Sequence, residues 1–138
     1  MSYLLDTNII SELVKKKPNH AVLDWVDAND SENLYLSVIT LGEIRKGISG
    51  VQNQARQKEI SHWLEVELPA YFEARILAID MNVADAWGKF QSQTKGRTLP
   101  AIDALIAATA YVNQLTLVTR NTKDFVDTPI EIVNPWNA

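Results

Sequence analysis

The feature that most constrains this fold is a repeated change of hydrophobic period. Tyr3-Leu4-Leu5, Leu34-Tyr35-Leu36-Ser37-Val38, Arg75-Ile76-Leu77-Ala78-Ile79 and Leu115-Thr116-Leu117-Val118-Thr119 are short, largely apolar runs. The stretches between them carry apolar residues at helical spacing. Short unbroken apolar runs fit strands covered on both faces, and recurrence every three or four residues fits amphipathic helices. The first helix presents Ile9, Ile10, Leu13 and Val14 and stops at Lys15-Lys16-Lys17-Pro18; the second presents Val22, Leu23, Trp25 and Val26. Thr40 is expected to open a third helix, ended by Gly47 and Gly50. A longer one is expected over 52–68, with Ile60, Trp63 and Leu64 on one face. Asp80 or Asn82 should cap a helix bearing Val83, Trp87 and Phe90. After the turn Lys95-Gly96-Arg97, Pro100 suits the first turn of a helix through Tyr111. Ile130-Glu131-Ile132-Val133 reads as a short edge strand. Strands joined by helices of this length take right-handed crossovers, which predicts an α/β fold: three α/β/α layers around a central parallel sheet of about five strands.

The length, 138 residues, matches one domain, and no stretch reads as a linker, so residues 1–138 are expected to form a single unit. The chain has no cysteine, which excludes thiol catalysis, thiolate zinc sites and disulfides. Acid appears at Asp6, before a signal-peptide apolar region forms, and no run approaches a membrane span; a soluble, cytoplasmic protein is expected. Thirteen basic residues against 17 acidic ones give a net charge of −4, which argues against passive nucleic-acid binding by bulk charge. With four acids set aside as metal ligands, that objection disappears.

In a parallel α/β sheet, ligands bind outside the carboxyl ends of the strands. Asp6 ends the first strand, Glu43 falls in the first turn of the helix after the second, Asp103 in the first turn after Pro100, and Asp124 beyond the strand ending at Thr119. Each has an ordinary explanation. Asp6 can cap a helix, Thr40-Leu41-Gly42-Glu43 matches a capping box, Asp103 suits a helix dipole, and Asn121-Thr122-Lys123-Asp124 resembles another cap. Together they are harder to explain. Two carboxylates about 4 Å apart repel by about 4 kcal/mol at an effective dielectric near 20, whereas one cap contributes about 1 kcal/mol. A divalent cation would offset the crowding. Hard oxygen donors, with only His20 and His62 for imidazole, favour Mg²⁺ or Mn²⁺ over zinc. Thr7, Asn8, Thr119 and Asn121 stand beside these acids, able to orient carboxylates or simply to make turns.

Four blocks carry a resemblance: Leu5-Asp6-Thr7-Asn8-Ile9-Ile10-Ser11-Glu12-Leu13, Ser37-Val38-Ile39-Thr40-Leu41-Gly42-Glu43-Ile44, Ile102-Asp103-Ala104-Leu105-Ile106-Ala107-Ala108-Thr109-Ala110, and Leu117-Val118-Thr119-Arg120-Asn121-Thr122-Lys123-Asp124-Phe125. In this order they resemble the PIN-domain family, and within it the VapC-like toxin ribonucleases of toxin–antitoxin pairs. The resemblance implies a metal-binding quartet of Asp6, Glu43, Asp103 and Asp124, supported by Thr119 and Asn121. It also implies Mg²⁺- or Mn²⁺-dependent hydrolysis of RNA, a homodimer, and a cognate antitoxin as partner. Arg45, Lys46, Arg97 and Arg120 lie near these blocks and are available to the RNA backbone, although each alone reads first as solvated surface charge. Trp25, Trp63, Trp87 and Trp136 are expected in the core or an interface. Haloacid-dehalogenase-like phosphatases fit poorly, since Asn8 stands where they need a second acid. The other alternative is a PIN-like module that binds RNA or protein without turnover.

Overall fold

The computed structural model of the protein describes residues 1–93 and 99–137. Five parallel strands, β1 (Tyr3–Leu5), β2 (Leu34–Ser37), β3 (Ile76–Leu77), β4 (Thr116–Val118) and β5 (Ile132–Val133), form one sheet in the order β3-β2-β1-β4-β5. The helices are α1 (Thr7–Leu13), α2 (His20–Asp27), α3 (Val38–Ile48), α4 (Gln54–His62), α5 (Leu68–Phe72), α6 (Met81–Gln93) and α7 (Ala101–Val112).

Alternation along each strand divides the interior into two cores. Leu5, Leu34, Leu36 and Val118 point to one face, where they meet Ile9, Ile10, Val22, Ile44 and Phe72. Leu4 and Leu117 point to the other and pack with Val83, Phe90, Ile106, Ala110 and Phe125. Successive side chains of a strand face opposite ways, so strands enclosed on both sides are apolar at every position. The expected three layers are present, with α1 to α5 on one face and α6 and α7 on the other. Among the described residues no helix is long and apolar enough to cross a membrane.

The structure corrects three local expectations. Thr40 does not open α3. The Ser37 hydroxyl accepts the Ile39 amide at 3.0 Å and starts the helix at Val38, so β2 runs into α3 without a loop. The expected capping box is absent and Glu43 falls in the second turn. The helix expected over 52–68 continues to Phe72. A π-turn at Trp63–Glu67, in which the Leu68 amide reaches back to the Trp63 carbonyl, widens the ladder just before Pro69. That gives the proline ring room where an α-helix would place a carbonyl against it. The third strand is shorter than 75–79, because Glu73–Arg75 form a 3₁₀ turn. The Arg75 guanidinium donates to the carbonyls of Leu34 and Tyr71, each at 2.6 Å, and to that of Ser31. The strands expected over 34–38, 115–119 and 130–133 are present but shorter, and Asp80 caps α6, as expected, by accepting the Val83 amide at 2.9 Å. The turn Lys95-Gly96-Arg97 lies outside the described residues.

Candidate active site

The strand order reverses between β1 and β4. The chain builds outwards from β1 through β2 to β3, then returns to β1's free side with β4. At such a switch point the connections leave in opposite directions and open a crevice at the carboxyl ends of the strands. Asp6 directly follows β1 and Thr119 directly follows β4.

Asp6 is 5 % exposed and accepts three hydrogen bonds. Its Oδ1 accepts the Thr7 amide at 2.8 Å, and its Oδ2 accepts the Thr119 hydroxyl at 2.8 Å and Asn8 Nδ2 at 3.5 Å. It caps α1 with one oxygen and turns the other towards Thr119 at the end of β4. Thr119 Oγ1 in turn accepts the Asn121 amide at 3.0 Å and Asn8 Nδ2 at 3.2 Å. Asn8 Oδ1 accepts the Arg120 amide at 3.2 Å. The four supporting residues singled out from the sequence thus include three, Asn8, Thr119 and Asn121, that form one network around Asp6.

The fourth, Thr7, serves Glu43. Its hydroxyl donates to Glu43 Oε1 at 2.5 Å and lies 3.0 Å from the Thr40 hydroxyl. A hydroxyl has one hydrogen. Because Thr7 gives it to the carboxylate, Thr40 is the donor to Thr7. Thr40, fully buried, therefore contributes at second hand to holding Glu43 rather than capping a helix.

Asp103 projects from the first turn of α7 and pairs with no cation among the described residues. Burial pushes its carboxyl up to about 6, with the charges of Asp6, Asp124 and Glu43 adding to the effect. Burial also raises Asp6, against the hydrogen bonds from Thr119 and Thr7, and Glu43 and Asp124 push it the same way. Asp124 sits in the 3₁₀ turn Thr122–Phe125, its amide held by the Asn121 carbonyl at 3.1 Å. That turn has no side-chain cap, so the cap suggested by Asn121 does not form.

Asp6, Glu43 and Asp103 line one open cleft of about 360 Å³ together with Thr7, Asn8 and Asn121. Asp124 is not in its wall, but its charge is felt at Asp6 and Asp103. Among the described residues, no three Asp, Glu or His side chains converge closely enough to clasp an ion by themselves. The acids stand on separate walls. This donor set suits a hard cation that keeps much of its water, as Mg²⁺ does when one or two carboxylates and substrate phosphates complete its shell.

Of the basic residues considered for RNA, Arg120 lines the cleft. Arg45 is ion-paired with Glu65 at 2.8 Å on the outer surface, and neither it nor Lys46 reaches the cleft wall. Arg97 lies outside the described residues. Ser11, Glu12, Lys15 and Trp136 also line the cleft, and sequence reasoning did not single them out for it. For Ser11 and Glu12 a signal existed, since steps of three or four residues from Thr7 and Asn8 keep to one face of α1. Glu12 accepts Lys15 Nζ at 2.9 Å and the Asn19 amide at 2.9 Å, and these bonds, Lys15 first, hold its carboxyl below the usual range. A second hollow of about 350 Å³, largely apolar, opens between α1, α2 and the π-turn and is lined by the half-buried Leu13, Leu23 and Trp63 among others. The apolar residues of these helices therefore serve both the core and an open groove.

A profile of the PIN domain family matches residues 3–131. The chain is 41 % identical to the plasmid stability protein StbB of Pseudomonas syringae pv. tomato, over 98 % of this chain and 99 % of that protein. It is 38 % identical to the toxin FitB of Neisseria gonorrhoeae (97 % and 98 % covered). With the VapC ribonuclease Y4jK of Sinorhizobium fredii identity is 37 %, covering 96 % of each chain. Among solved structures, FitAcB from Neisseria gonorrhoeae superposes with a TM-score of 0.91 at 36 % identity over 99 % of both chains. A toxin–antitoxin complex from Klebsiella pneumoniae gives 0.70 at 28 % identity, covering 97 % of this chain and 98 % of that one. Strand order, the acid-lined crevice at its reversal and these whole-length similarities agree: the chain belongs to the PIN domain family.

Proposed function

We propose that this protein is a metal-dependent endoribonuclease, the toxin of a toxin–antitoxin pair, which hydrolyses RNA phosphodiester bonds at Asp6, Glu43, Asp103 and Asp124. It would act as a single-domain cytoplasmic homodimer controlled by a cognate antitoxin. The observation that carries the reading is electrostatic. Burial and the nearby charges of Glu43 and Asp124 raise the proton affinity of Asp6 and of Asp103, and Asp103 has no cation partner among the described residues. Such an arrangement opposes stability unless something positive enters. Whole-length similarity to proteins named ribonuclease and toxin supplies the substrate class and the biological role.

Mg²⁺ or Mn²⁺ bound here supplies Lewis-acid activation of water and neutralises charge on the phosphate. The chain's own residues do the rest. Asp6, fixed by Thr119 and Thr7, and Glu43, fixed by Thr7, hold two of the oxygen donors in place. Asp103, whose carboxyl burial pushes up to about 6, is suited to taking a proton from the attacking water when ionised.

One observation favours a second reading, a catalytically silent PIN-like module that binds RNA or protein: the acids are not gathered tightly around a point. Purified, antitoxin-free protein incubated with total cellular RNA and Mn²⁺ or Mg²⁺ separates the two. Discrete fragments that vanish with chelator and in Asp6→Asn support the nuclease. Mn²⁺ binding without any cleavage supports the silent module.

A further inference from the structure

An acid-walled cleft in a chain of net charge −4 repels RNA until a cation enters, so a basic side chain on its rim is of use in drawing the strand in. Two cations line the cleft, and they differ. Lys15 is committed to Glu12 at 2.9 Å. Arg120 makes no ion pair within 4.0 Å among the described residues, although its charge is felt at Glu12. Its guanidinium instead lies over the Trp136 ring, 5.1 Å from the centroid.

Both members of this contact are anchored. The Arg120 amide donates to Asn8 Oδ1 at 3.2 Å, and Asn8 belongs to the network that holds Asp6. The Trp136 amide donates to Asn134 Oδ1 at 2.9 Å, and its ring packs against the core beneath α2. A guanidinium laid on an indole keeps its N–H fork free at its edge and gives up fewer rotamers when it grips an anion. A fork of this kind matches two phosphate oxygens, which an ammonium does not. With the guanidinium over the ring and the core against it, Trp136 is placed as a brace rather than as a platform for a base.

We infer that Arg120, braced by Trp136, is the substrate clamp of the cleft and grips an RNA backbone phosphate next to the one being cut. Arg120 is a binding residue and Trp136 a positioning residue. The inference rests on the nuclease reading for its substrate, but its test does not depend on cleavage.

The test is binding of a fluorescent single-stranded RNA oligonucleotide in EDTA, followed by anisotropy over a range of KCl concentrations. Arg120→Ala should weaken binding about tenfold and flatten the plot of log Kd against log salt by about 0.7, the value of one single-strand phosphate contact. Trp136→Ala should weaken it about threefold, and Trp136→Phe should restore it, since a benzene ring still carries the cation. In the double variant Arg120→Ala/Trp136→Ala the second change should add nothing. Equal affinity and salt slope for wild type and Arg120→Ala would overturn the clamp, whether or not the wild type cuts RNA. Fully additive losses would overturn the brace, because Trp136 would then be touching RNA on its own. Where the wild type does cut, steady-state kinetics should place the Arg120→Ala defect in KM, with kcat within about twofold. An equal loss in kcat with KM unchanged would also overturn the clamp. Failure of the nuclease reading is visible separately, as an oligonucleotide that wild type binds and leaves intact with Mn²⁺.

Discussion

Thr119 Oγ1 donates to Asp6 Oδ2 across 2.8 Å, joining residues 113 positions apart at the carboxyl ends of the two adjoining strands β1 and β4. That hydroxyl is the largest influence holding Asp6's carboxyl down against burial. Thr119→Val, nearly equal in volume, leaves a buried carboxylate short of a donor. It should cost about 1–3 kcal/mol of stability and about 10–100-fold in Mn²⁺ affinity. Thr119→Ser should recover most of both. Thermal melts and calorimetric Mn²⁺ titration check this; unchanged Mn²⁺ affinity in Thr119→Val would disprove the orienting role.

The Thr40–Thr7–Glu43 chain has a direction, and the direction predicts an order of effects. Thr7→Val removes the bond to Glu43 itself and should lower kcat/KM about tenfold or more. Thr40→Val removes only the donor behind Thr7 and should cost less, about two- to fivefold. A larger loss from Thr40→Val than from Thr7→Val, at equal thermal stability, would contradict this arrangement.

Asp103 makes a prediction in pH. Its carboxyl is raised from 3.8 to about 6 in the folded chain, so between those values the folded state holds a proton that the unfolded state has released. Stability of the ion-free protein therefore falls as pH rises through that window and is fully favoured only below it. The full shift corresponds to about 3 kcal/mol, reduced to about 1 kcal/mol because the group is only partly buried and screened by water. Asp103→Asn should thus raise the melting temperature of the ion-free chain by about 3 °C at about pH 7.5 and leave it unchanged near about pH 3.5. Mn²⁺ binding should move the other way and weaken below about pH 6, where the proton competes. Scanning calorimetry with and without Mn²⁺ reads both; a melting temperature for Asp103→Asn below wild type at neutral pH, without metal, would refute the electrostatic account.

A control for fold against chemistry lies at Arg75, far from the cleft along the edge of the sheet. Its guanidinium reaches the carbonyls of Leu34 and Tyr71 and lies 5.3 Å from the Phe72 ring centroid. Arg75→Ala should lower stability by about 2 kcal/mol while leaving the RNA fragment pattern unchanged. Arg75→Lys should not rescue it, since one ammonium cannot replace the fork. Urea unfolding and a cleavage gel settle the point.

Much of the architecture was legible because strands enclosed on both faces must be apolar throughout. Leu34, Leu36 and Leu117 declared themselves in that way. What escaped was decided by competition between neighbours. Ser37 and Thr40 are both good helix caps, and local sequence does not choose between them. The choice falls to Ser37 because packing of Leu34 and Leu36 ends β2 there, and Glu43 is then turned away from its expected partner. Pro69 looks like a stop, and only the π-turn before it lets the helix pass. The acids could be assigned to strand ends and helix starts, but not their spacing across the cleft, which depends on how far β1 and β4 hold α3 and α7 apart. Arg45 reads first as surface charge and is found as one, but nothing near it in sequence announces its partner Glu65. Trp136 belongs to a short 3₁₀ turn with no period to read, so its place at the rim is known only from the fold.

The position of β1 in the sheet also sets a timetable. The strand that carries Asp6 is made first, yet its neighbour β4 comes more than a hundred residues later. Most of the α1–α5 core comes from residues before β4, with Val118 and Trp136 added to it afterwards. Until residues 116–119 emerge, however, Asp6 has no hydroxyl to hold it, and Asp103 and Asp124 have no scaffold to face it from. The crevice is thus assembled only once β4 has been made and can be drawn against Asp6.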